Sequence, residues 1–178
     1  NSDAALDFVA RFILEALDVD PEEPEGPDLD RLIAPFGLLM PKARILSDLA
    51  RSSLALPFIQ DAPDLALMKW MEREDQLFRR IERKIVAERL RTGFRNSDGE
   101  DVEGFIAFSL SVQNRRKSRA GLALESHIEA LLTAFKISYS RGAITENGNK
   151  PDFLFPGAAE YANPGFDADQ LTMLGAGL

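Results

Sequence analysis

The chain contains no cysteine. A disulfide framework, a thiolate nucleophile and a thiolate zinc site are therefore excluded, and the composition fits a reducing cytosol. It contains a single histidine, His127, with no second histidine or cysteine to share a metal. No stretch approaches the run of about 18 apolar residues that a transmembrane helix needs, so no membrane partner is expected. The opening Asn1-Ser2-Asp3 has neither a methionine nor the basic region of a signal peptide, and it reads as an internal position of a longer protein. No internal repeat is visible. An excess of positive charge is also lacking. The net charge of -8 weighs against nucleic acid, because phosphate binding needs cations. Net charge is a sum, however, and binding depends on where the charges sit.

What is present is ordinary for a globular protein. The 178 residues suit one domain, or one domain with a small appendage, and are 45% hydrophobic and 28% charged. Residues 4–17 carry Leu6, Phe8, Val9, Phe12, Ile13, Leu14 and Leu17 and predict a helix with a broad apolar face. Residues 18–28 are acidic and proline-rich and predict a solvated loop. Pro35, Gly37, Pro41 and Pro57 punctuate residues 29–60, which predict small helices and turns. A long helix is expected from Asp64 through residue 90, with its charged face solvated and laced by i,i+4 pairs. Residues 93–101 predict a polar loop, and 102–112 begin a further helix. Residues 122–135 predict a separate amphipathic helix. Strands are expected at 136–140, 151–156 and 171–176. The order helix, strand, loop, strand, loop, strand points to a mixed α/β core.

Three elements carry candidate chemistry. Asn114-Arg115-Arg116-Lys117-Ser118-Arg119-Ala120-Gly121 places four cations in five residues, read as standing just before a helix. Arg forks match phosphate oxygens and the guanine edge, although a short basic run also suits a plain solvated face. Ala120-Gly121 reads as close backbone approach or a tight helix entry. Glu125 is the second element, a helical acid equally compatible with a surface role. His127, two residues on, points to another side of the helix and reads as structural or surface. The third element is Asp152, a carboxylate on an otherwise apolar strand, Pro151-Asp152-Phe153-Leu154-Phe155-Pro156. Such an acid pairs with a cation or binds a metal, and hard oxygen donors suit Mg²⁺. Glu125 and Asp152 meet at one ion if the helix packs beside the strand. A metal held there would activate water and hold phosphate oxygens in line.

The basic run, with Gly142-Ala143-Ile144-Thr145-Glu146-Asn147 and then Lys150-Pro151-Asp152-Phe153-Leu154-Phe155-Pro156, resembles the signature of EcoRII-type restriction endonuclease domains. Asp64-Leu65-Ala66-Leu67-Met68-Lys69-Trp70-Met71 is similar to the segment upstream. The likeness covers residues 60–176, roughly two thirds of the chain. It implies a PD-(D/E)XK nuclease: an α/β, restriction-endonuclease-like fold with a mixed central sheet flanked by helices, and a helix-rich N-terminal half. The expected division is an N-terminal helical segment over 1–60 and a nuclease domain over 61–178, incomplete at its C-terminal end.

The resemblance assigns Asp152 as the metal-binding acid and Glu125 as the helix-borne acid, with Mg²⁺ as cofactor. Tyr161 matches a tyrosine near the family's site. Arg115, Arg116, Lys117 and Arg119 would face double-stranded DNA. The implied protein is a cytoplasmic homodimer that cuts at short CC…GG sites and flips central bases out of the stack. In the family, residues like Leu174-Gly175-Ala176 lead into a catalytic lysine and a basic run; here Gly177-Leu178 follow. The 178 residues alone are therefore expected to be inactive and poorly stable. Two other readings stand beside the nuclease: an inactive DNA-binding remnant of the same fold, and a helical protein-interaction module.

Overall fold

The computed structural model describes residues 27–54, 56, 57, 59–163 and 165. The predicted helix at 4–17 and strand at 171–176 lie outside them. Two compact units are formed, Asn1–Ile128 and Glu129–Leu178.

The first unit is helical. Helix α1 (Pro27–Ile33) runs into a 3₁₀ turn (Ala34–Phe36), and α2 (Ala43–Ser53) follows. Helix α3 (Pro63–Thr92) is 30 residues long. Proline near its first position supplies a preset φ where no intrahelical N–H bond is lost. Gly93, at φ 75°, ends it, and its N–H reaches Arg89 O at 3.0 Å. Leu29 and Ile33 of α1, Leu46 and Ala50 of α2, and Leu77, Phe78 and Ile81 of α3 form one buried core. That core joins residues on both sides of position 60.

Within the expected polar loop, Arg95–Asn96 (β1) and Gly99–Glu100 (β2) pair antiparallel, Arg95 with Glu100 and Asn96 with Gly99. Asn96 Oδ1 accepts the Asp98 N–H at 2.9 Å, and Gly99 supplies the positive φ of 128° that the turn requires. Asp101 then caps the next helix, accepting the Gly104 N–H at 2.9 Å.

That helix, α4 (Val102–Ala134), corrects the sequence reading. Residues 102–112 and 122–135 are not two helices; they belong to one helix of 33 residues. The basic run lies inside it and not before it. Arg, Lys and Ala are good helix formers, and no proline intervenes. An internal glycine costs only about 1 kcal/mol, which packing offsets. Gly121 marks neither a helix entry nor a close approach, since a Cβ placed there would meet nothing within 4 Å.

The second unit opens with the end of α4. Lys136 takes the left-handed conformation (φ 57°), and the Ile137 and Lys136 N–H groups bond Leu132 O and Thr133 O at 2.9 and 3.1 Å. This is a Schellman cap. It uses the first residues of the strand expected at 136–140, so only Ser140–Arg141 (β3) remains extended and paired. The partner is Phe153–Leu154 (β4), with Ser140 opposite Leu154 and Arg141 opposite Phe153. Pro151 and Pro156 flank β4 and lack the N–H to lengthen the ladder, which shortens the strand expected over 151–156. A short helix α5 (Ala158–Tyr161) follows. Replacing Lys136 by Gly should raise the unfolding free energy by about 0.5–1 kcal/mol, because left-handed backbone disfavours a side chain. A urea titration with a higher midpoint and unchanged slope would show it.

The described residues thus make a helix-rich structure with two small antiparallel sheets, compatible with an α/β fold. They do not form the mixed central sheet. No helix among them is long and apolar enough to cross a membrane.

Candidate functional site

The strand pair of the second unit carries Asp152 at its edge. Its base is fixed by aromatic and ionic contacts. Tyr139 meets the Phe153 ring edge-on at 5.5 Å, and Arg141 lies over that ring at 5.4 Å. Glu129, in the last turns of α4, accepts from Tyr139 Oη and Arg141 Nη1, both at 3.1 Å. Ser140 Oγ accepts the Ala158 N–H at 2.9 Å and so ties β3 to the start of α5. Asp152 sits in a bend directly before β4, not within the strand, and is exposed. No hydrogen-bond or ion-pair partner holds its carboxylate among the described residues. Tyr161 ends α5, half-exposed, and donates its hydroxyl to Glu146 in the loop between β3 and β4. That bond holds the Glu146 carboxyl below its ordinary range and pushes the Tyr161 phenol above its own.

The basic run belongs to the first unit. Only part of it faces solvent. Arg119 is 9% exposed; its Nη2 lies 2.5 Å from Asp75 Oδ1 and its guanidinium covers the Phe78 ring at 4.6 Å. Arg116 Nε donates to Glu82 Oε2 at 2.7 Å, its side chain still partly exposed. Arg115 Nη1 makes a long bond, 3.5 Å, to Ser111 Oγ, while its Nε and Nη2 are buried without partners among the described residues. Lys117 is exposed. Glu125 lies farther along α4, partly exposed.

These ion pairs form a polar seam between antiparallel α3 and α4, which the sequence reading missed. The face of α3 taken as solvated includes Glu74 and Glu82, and both are buried. Their positions were readable, because Ala66, Trp70, Glu74, Phe78 and Glu82 follow one another at i,i+4. His127 completes the seam. It is fully buried and stacks on Trp70 at 5.8 Å. Its Nδ1 accepts from Arg51 Nη1 at 2.9 Å, which leaves the proton on Nε2, 2.9 Å from Glu74 Oε2. Of the two readings of His127, structural or surface, its burial leaves the structural one.

A family model described as EcoRII C terminal matches residues 78–177, more than half of the chain. The chain belongs to the EcoRII C-terminal family. All seven candidate residues, from Arg115 to Tyr161, fall inside the match. A curated relative, the type II restriction enzyme EcoRII of Escherichia coli, is 41% identical over 113 residues, 63% of this chain. The match spans only 27% of that enzyme's length. Glu146, absent from the candidates drawn from sequence, also lies within the EcoRII C-terminal match. In sequence it appeared only as one residue of the Gly142-Ala143-Ile144-Thr145-Glu146-Asn147 signature, with no role attached.

Proposed function

We propose that this EcoRII C-terminal chain is the catalytic part of a type II restriction endonuclease that hydrolyses phosphodiester bonds of double-stranded DNA with Mg²⁺. One observation carries the reading: an exposed Asp152 carboxylate at the head of β4, unpartnered among the described residues, inside a region related to a restriction enzyme. Its donor chemistry fits the ion. Mg²⁺ keeps most of its waters and asks the protein for only one or two carboxylates. Bound there, the metal would lower the pKa of a water and stabilise charge on the phosphate. Asp152 is the metal-holding acid; Glu125 is the second acid, resting on the family resemblance. Tyr161 belongs to the same site. The substrate is a short CC…GG site, read by two copies of the protein on its two-fold symmetric halves. The test is plasmid cleavage by the full-length protein with Mg²⁺ and with EDTA. Discrete fragments that vanish with EDTA support the reading; fragments that persist in EDTA overturn it.

The exposed Lys117 and the partly exposed Arg116 supply phosphate contacts, while Arg119 holds α4 against α3. Each phosphate neutralised contributes a slope of about -0.9 in log affinity against log salt. Replacing Lys117 by Ala should flatten that slope by about one such unit, measured by fluorescence anisotropy on a labelled duplex. An unchanged slope would place Lys117 away from DNA.

A further inference from the structure

We propose that Glu146 is a positioning residue of the nuclease site: by accepting the Tyr161 hydroxyl it fastens the loop before β4 to the helix after it, and so fixes both flanks of Asp152. The inference deepens the reading of Asp152 as the metal-holding acid and rests on it.

The loop between β3 and β4 is a closed turn on a stalk. Thr145 N–H bonds Asn149 O at 3.0 Å and Gly148 N–H bonds Thr145 O at 2.9 Å. Gly142 and Gly148, at φ 63° and 73°, supply the reversals. These bonds shape the turn but do not anchor it. Among the described residues, the one side-chain hydrogen bond from this loop to the rest of the unit is Glu146 to Tyr161. Asp152 lies between the two partners in sequence, directly after the loop and before β4. A loop left unanchored would move its neighbour, and metal-site chemistry is sensitive to displacements near 1 Å. The bond also sets the role of Tyr161. Its hydroxyl hydrogen is committed to Glu146, so toward a substrate the phenol oxygen can only accept. A hydrogen bond to a charged acceptor is roughly twice as strong as a neutral one.

The experiment uses the full-length protein, Mg²⁺ and a duplex taken around a mapped plasmid cut site, with kcat and KM measured separately. Glu146→Ala should lower kcat about tenfold with KM and the melting temperature unchanged. Glu146→Gln, whose amide oxygen still accepts the phenol hydrogen, should recover most of that loss. Tyr161→Phe, a single-atom deletion that tests the bond from its other end, should match Glu146→Ala. The double variant should be no slower than either single one, because both remove the same interaction. A wild-type kcat in Glu146→Ala overturns the inference. So does a loss that adds to that of Tyr161→Phe, or one that follows the melting temperature. Asp152→Ala is run alongside. If it abolishes cutting while Glu146→Ala keeps the wild-type kcat, only the role of Glu146 fails. If Asp152→Ala cuts normally, the underlying site assignment fails.

Discussion

Replacing Asp152 by Asn is expected to slow DNA cleavage by the full-length protein on the order of a thousandfold at saturating Mg²⁺. The magnitude follows from what the carboxylate would do. A metal that polarises a phosphoryl oxygen and generates hydroxide contributes several kcal/mol to the transition state, and each 1.36 kcal/mol is about a factor of ten. Asn keeps the shape and one oxygen but loses the charge that holds a hard cation. The fold should not notice. Asp152 is exposed and makes no hydrogen bond or ion pair among the described residues, and such surface changes usually stay within about 0.5 kcal/mol. Cleavage and urea unfolding measured on the same preparation separate the two effects. A variant that cuts within tenfold of wild type would remove Asp152 from the metal site.

The sequence made the local elements legible where one signal dominated. The long helix from Pro63 to Thr92 has a sustained apolar period, a proline at its start and a glycine at its end. Small helices stand between proline and glycine punctuation within residues 29–60 as expected, although the first begins at Pro27, inside the stretch expected to be loop. The turn at Asn147-Gly148 separates β3 from β4. What was not legible depended on partners distant in sequence. Arg119 looked like one of four equivalent cations. Its burial follows from Asp75 and Phe78, one helix earlier, and no local pattern announces that pairing. The unbroken α4 was misread because basic residues and a glycine were given loop chemistry, although each is tolerated inside a helix whose other face is packed. Strand lengths failed for a different reason. The Schellman cap at Lys136 and the prolines flanking β4 are local features, but they act by removing hydrogen-bond donors or extended residues at the edges. Asp152 stood out by its motif. Glu146 stood in a family signature without a role, since its partner Tyr161 lies fifteen residues on and no local pattern announces their bond.

Replacing Glu74 by Ala should destabilise the first unit by about 3–5 kcal/mol, the largest stability effect expected of a charged residue here. Glu74 is fully buried between α3 and α4. Three costs accumulate. Truncation opens a cavity, as it does for a large apolar side chain. The buried His127 Nε2, 2.9 Å from Glu74 Oε2, loses the carboxylate beside it in a place water does not reach, which costs about 1–3 kcal/mol. Arg51, bonded to His127 Nδ1 at 2.9 Å, loses a nearby negative charge, although Asp48 still pairs with it at 2.5 Å. Glu74→Gln keeps the volume and a polar oxygen beside His127, so it should cost only about 1 kcal/mol. Replacing Glu74 and His127 together by leucine removes both polar groups from the seam. That pair should then be far less destabilised than Glu74→Ala, because replacing both members of a buried polar pair by packed apolar groups is often nearly neutral. Urea unfolding of the four proteins gives the comparison directly. If Glu74→Ala and Glu74→Gln were equally and mildly destabilised, Glu74 would be reached by solvent and the seam would not be part of the core.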